Sequence, residues 1–176
     1  MKNLLFVSVI LLGLTACASS VNRSNETSNY QYGGQKFAAV KVSLDANAQG
    51  ELKDNIKFDP TKLEQVISRS LQARGLIDEK SGNVVDVLVT DIRTRSNFSA
   101  VMFGFMAGND HVQGQVSLVP KTGGYAWLKF QISAAYALGG FGGGQDDARM
   151  NWLYEEFAKL TLAEILGDKD KVSTNQ

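Results

Sequence analysis

The 176-residue sequence contains one cysteine, one histidine and two prolines, and its 18 basic residues are matched by 18 acidic ones. Each scarcity excludes something. A single thiol, Cys17, cannot close an intrachain disulfide. One thiol and one imidazole cannot supply the several Cys and His ligands of a soft-metal site. A Ser-His-Asp triad would rest entirely on His111, and no G-x-S-x-G elbow occurs. Balanced charge argues against nucleic acid, which calls for a basic patch, and against a polybasic membrane-surface domain. The apolar run Leu4–Leu14 stops well short of the roughly 20 residues that span a bilayer. No repeat with a period of about 20 to 50 residues is present.

What is present begins at the N-terminus. Residues 1–16 read as a cleavable signal, with Lys2 as its positive region and Leu4–Leu14 as its apolar region. The tetrapeptide Leu14-Thr15-Ala16-Cys17 resembles the lipobox of bacterial lipoproteins. That resemblance implies lipid on the Cys17 thiol, cleavage before it and acylation of the new amine. One acyl chain holds a protein marginally, whereas two or more hold it stably. The resemblance also implies sorting to the outer membrane, because Ala18 rather than Asp follows the cysteine. Residues 17–35 are rich in Ser, Asn and Gly, which predicts a flexible tether with a reach of about 25 Å. Residues 36–167 then form one domain of sufficient size for a real core, with 168–176 as a disordered tail.

Within that domain the apolar pattern alternates between two periods. Ala38, Val40, Val42 and Leu44 share one face of a strand. Asp59 and Pro60 open a helix striped by Leu63, Val66, Ile67 and Leu71, and Gly75 closes it. Residues 84–94 are rich in β-branched side chains and predict a central strand. Residues 111–119 alternate, turn through Pro120–Gly124, and pair with residues 125–136 as a hairpin. A last helix starts at Asp146 or Asp147, carries Met150, Leu153, Phe157 and Leu160 on one stripe, and stops at Gly167. The order β-α-β-β-β-α predicts an α/β (α+β) two-layer sandwich, a four-stranded, mostly antiparallel sheet with both helices on one face.

Two segments break the alternation. Residues 97–109 carry Phe98, Met102, Phe103, Phe105 and Met106, and residues 138–145 carry Phe141 among glycines. If the last three strands run up, down and up, both segments leave the sheet at one end. They then either close over the core or form an adaptable Phe- and Met-bearing contact surface. Arg93 and Arg95 share a face near that end and are candidates for an anionic partner. The glycine run 139–144 lacks the Lys and Ser or Thr of a P-loop and fails the G-x-G-x-x-G spacing. Asp86 and Asp91 are expected on opposite faces of their strand, which does not suit paired acid–base work. No catalytic residue, metal site or cofactor site is expected.

The stretch from Arg93 through Gly108 into the strand at Val112–Leu118, followed by a turn and a glycine-rich loop before a terminal helix, resembles a family of uncharacterised proteobacterial lipoproteins, a domain of unknown function. The element order is more distantly similar to the periplasmic lipoprotein activators of penicillin-binding proteins, to the curli secretion lipoprotein and to the N-terminal domain of TolB. These resemblances imply a non-enzymatic envelope module that binds a protein partner. It would be lipid-anchored at the outer membrane facing the periplasm, and would engage neither nucleic acid nor a small-molecule cofactor. Two other readings stay open: a pore or secretion-complex subunit oligomerising through the amphipathic hairpin, and a cell-envelope enzyme without a recognisable motif.

Overall fold

The computed structural model describes residues 19–55, 57–96, 108–136 and 146–168. Its elements are β1 (Ser20–Arg23), a 3-10 turn (Asn25–Thr27), β2 (Ala39–Leu44), α1 (Ala46–Glu51), α2 (Pro60–Gln72), β3 (Asn83–Arg93), β4 (Asp110–Pro120), β5 (Leu128–Tyr136) and α3 (Asp146–Leu166). The strands build one open sheet in the order β1-β5-β4-β3-β2. β2 and β3 run parallel and the other neighbours antiparallel.

The expected α/β class holds, and the alternation explains why. Val85, Val87, Val89 and Ile92 on β3, with Val112, Val116 and Leu118 on β4, put their side chains into one core. Leu128, Phe130, Ile132 and Ala134 on β5 join them there. The helical stripes meet that surface: Leu63, Val66, Ile67 and Leu71 from α2, and Met150, Leu153, Phe157 and Leu160 from α3. Each such side chain contributes roughly 1.5–3 kcal/mol by leaving water. Asp59 caps α2 by accepting from the N–H groups of Thr61 (2.8 Å) and Lys62 (3.3 Å), with Pro60 next in line. Gly75 ends that helix at φ +67°, a conformation that a Cβ would strain.

Four expectations are corrected. The predicted tether is structured in part: Ser20–Arg23 pairs with Phe130–Ser133 as a fifth strand, so the sheet has five strands rather than four. Composition marks this segment as polar linker, but an uncovered β5 would present a row of unpaired backbone groups, and β1 satisfies them. Arg23 also reaches α3, where it pairs with Glu164, both side chains being mostly buried. Among the described residues there are three helices rather than the two expected: Ala46–Glu51 forms a short one, α1, capped by Asp45 accepting from the Ala48 N–H at 2.8 Å.

The third correction concerns β3. The register against β4 slips between Val89 and Asp91, a bulge that inverts the alternation beyond it. Asp86 and Asp91 therefore both lie on the face away from the helices, opposite Ser117 and Gln113 respectively, instead of on opposite faces. The fourth is Arg93 and Arg95, which do not share a face: Arg93 is exposed, and Arg95 is buried.

The other edge of the sheet, β2, is guarded by a side chain. Glu64 on α2 accepts from the Val42 N–H at 3.2 Å, occupying a donor that would otherwise be open to a passing strand.

Candidate functional site

β3 ends, β4 begins and β5 ends at the same edge of the molecule. Arg93 stands opposite His111, His111 opposite Ala135, and Asp110 opposite Tyr136. The roots of the 97–109 and 138–145 segments are thus neighbours. Phe98, Met102, Phe103, Phe105, Met106 and Phe141 lie outside the described residues, as do Leu14, Thr15, Ala16 and Cys17.

What the structure shows between those roots is a buried ionic clamp. Asp110 has no exposed surface, and the side chains of Arg95 and Arg149 are 2% exposed. Arg95 donates to Asp110 Oδ1 from its backbone N–H (2.6 Å) and Nε (3.3 Å), and to Oδ2 from Nη2 (3.2 Å). Arg149 Nε stands 3.1 Å from the same Oδ2. Arg95 also donates from Nη1 to the Gly108 carbonyl (2.8 Å) and from Nη2 to the Tyr136 carbonyl (3.3 Å). Arg149 Nη2 in turn donates to the Arg95 carbonyl at 2.8 Å. One carboxylate and two guanidinium groups therefore tie together both ends of the β3–β4 connection, the end of β5 and the first turns of α3.

Neighbouring polar groups extend the bracing to α1. Asn55 donates from Nδ2 to the carbonyls of Glu51 (2.8 Å) and Ile92 (3.2 Å). Its Oδ1 accepts from Thr94 N–H (2.8 Å) and Thr94 Oγ1 (2.7 Å). Glu51 Oε2 accepts from the Ile92 N–H at 2.8 Å. The Ile92 N–H and carbonyl and the Thr94 N–H, beyond the bulge, thus find side-chain partners, as burial demands.

The clamp was the feature that residue-type reasoning missed, although a signal was present. Asp110 falls in phase with Val112, Val116 and Leu118, so the alternation itself places its carboxylate on the core face, where a charge requires a buried counter-charge. Arg95, expected to meet an anionic partner, spends its guanidinium on this internal network. Arg93 remains exposed beside Gly108, where a Cβ would come within 3.3 Å of its guanidinium.

The sheet face away from the helices is polar. A groove of about 370 Å³ runs over it, lined among others by Ser20, Asn22, Thr90, Gln113, Gln131 and Ser133. Near its loop end His111 Nε2 lies 3.0 Å from Asp91 Oδ2, the pairing that the bulge makes possible. The groove offers amides and hydroxyls, a hydrogen-bonding surface. Among the described residues no group of three or more His, Cys, Asp and Glu is placed to hold a metal ion. Two aromatic residues complete the loop end: Trp152, 39% exposed, packs on Tyr136 with ring centroids 5.0 Å apart.

The family model for a domain of unknown function, DUF4410, matches residues 9–140. No curated protein matches the chain by sequence. Among solved structures, two of the PelC dodecamer from Paraburkholderia phytofirmans, one a point variant, are similar. Each gives a TM-score of 0.48, at 13% identity for the variant and 11% for the other, with 84% of this chain and 96% of that chain covered. A PDZ domain protein from Parabacteroides distasonis gives a TM-score of 0.40 at 11% identity, covering 85% of this chain and 34% of that chain.

Proposed function

The chain belongs to the DUF4410 family, and from that premise we propose that it is a non-enzymatic envelope module. It is held by lipid on Cys17 at the outer membrane, facing the periplasm, and it engages a protein partner through the 97–109 and 138–145 segments. The observation that carries this reading is the Arg95–Asp110–Arg149 clamp. A fully buried charge cluster is a demanding way to join two connections, and breaking such a pair is strongly destabilising. Its effect is to fix the roots of both Phe-bearing segments to one rigid platform, the arrangement that favours preorganised binding.

The hairpin reading has less support, since the apolar face of β4 and β5 is covered by α3 and a bilayer would have to displace it. The test is in vivo crosslinking from the 97–109 segment, followed by mass spectrometry. A specific envelope protein is expected, lost on combining Phe103→Ser with Phe105→Ser and retained with Tyr125→Ser at the opposite end. An unchanged set of crosslinked proteins in the double variant would sink the proposal.

A further inference from the structure

The start of β1 constrains more than the sheet. β1 is antiparallel to β5, with Ser20 opposite Ser133 and Arg23 opposite Phe130. Traced backwards, the chain therefore runs toward the loop end. Ser19 is still attached there, its Oγ accepting from the Ala135 N–H at 3.1 Å, one residue short of Tyr136. Cys17 is two residues earlier, so its Cα is at most about 7 Å from that of Ser19. The 25 Å tether expected from composition has shrunk to the length of two peptide units.

We infer that the loop end of the sheet rests on the lipid surface itself, with the strands standing away from the membrane. This deepens the proposed function and rests on its lipid anchor. It implies that any protein partner of this end is embedded in, or flush with, that leaflet. An independent observation points to the same surface. The pair of exposed large apolar side chains among the described residues is Tyr125 and Trp152, and Trp152 sits at the loop end, packed at a tilt against Tyr136. Trp and Tyr rings, apolar in body and polar at one edge, concentrate at the boundary between headgroups and acyl chains. Tyr125 occupies the opposite end, about 33 Å away along the length of β4. The Phe-bearing segments are not needed for this argument.

The lipid makes the experiment clean, because a thioether on Cys17 uses up the native thiol and leaves an introduced cysteine as the sole labelling site. Full-length acylated protein in phosphatidylcholine vesicles is labelled with a fluorophore at Ala148→Cys, exposed in the first turn of α3, or at Tyr125→Cys. Quenching by headgroup-nitroxide lipids is expected to be at least threefold stronger at position 148. Adding Trp152→Ala should reduce that quenching at least twofold, and Trp152→Tyr, which keeps an interfacial ring, should restore it. Equal or reversed quenching, with the acylated N-terminal peptide confirmed by mass spectrometry, would overturn the orientation while leaving the anchor intact. An unacylated peptide would overturn both. Loss of lipid quenching at 148 together with crosslinks from that position to a periplasmic protein would assign this end to protein instead.

Discussion

Asp110 shows what one residue can decide. Its carboxylate neutralises charge that cannot be hydrated, so Asp110→Ala should cost roughly 3–5 kcal/mol in urea unfolding. Arg69→Ala removes the exposed Arg69–Glu155 pair and should cost less than about 1 kcal/mol. Comparable losses in the two variants would show that the clamp is energetically ordinary. Tyr154 carries a pH signature. Burial pushes its hydroxyl up to about 12 from an ordinary 10.0, although the hydrogen bond from the Asp59 N–H (2.7 Å) works the other way. Burial, then the neighbouring Tyr32, also raises Tyr30 to about 12. Below pH 10 both folded and unfolded states keep these protons. Above it the unfolded rings ionise first, so stability is lost between about pH 10 and 12. Tyr154→Phe should flatten that decline, while losing about 1 kcal/mol at neutral pH with the Asp59 hydrogen bond. Urea midpoints across the alkaline range would show an unchanged slope if the assignment is wrong.

At the scale of elements, the seat of α3 on the sheet depends on an absent side chain. A Cβ at Gly114 would meet the Leu88 carbonyl at 3.0 Å and the Phe157 ring at 3.2 Å. Gly114→Ala should therefore destabilise by roughly 1–3 kcal/mol, as overpacking does. The same change at Gly50, inside α1 with open space around it, should stabilise by roughly 0.5–1 kcal/mol. Opposite signs in chemical unfolding are the expected result, and equal signs would contradict the packing described. The bulge after Val89 is the other decisive local feature. It brings Asp91 across to His111 and leaves Ile92 in phase with the core, so both faces beyond it keep their character.

For the whole molecule, β1 converts an expected linker into an edge strand and thereby sets the direction from which the chain enters the sheet. Its backbone should be protected from exchange, including Ser24, whose N–H donates to the Lys129 carbonyl at 2.9 Å. Removing the Arg23–Glu164 pair with Arg23→Ala should speed hydrogen exchange across residues 20–24 on the order of tenfold, as local opening becomes easier, and leave β4 unchanged. Uniformly fast exchange at 20–24 in the unaltered protein would return this segment to a tether.

Much of the architecture is legible in the sequence because it depends on local periodicity. The stripe from Leu63 to Leu71 and the cap at Asp59–Pro60 define α2, and the alternation from Val112 to Leu118 and from Leu128 to Ala134 defines the hairpin. The strand directions that follow place the roots of the two Phe-bearing segments at one end. Other features were decided only by tertiary structure, since their causes are distant in sequence. β1 forms because β5 has an edge to be satisfied, not because Ser-Val-Asn-Arg prefers extension. Arg95 turns inward because Asp110 and Arg149, from two other segments, surround it with buried charge. Asp91 changes face because of one unpaired residue in a strand whose composition shows no break. The scarcity of cysteine stands at the boundary between the two: sequence alone leaves Cys17 as the one thiol, while the pairing of β1 with β5 decides at which end of the sheet Ser19 is attached.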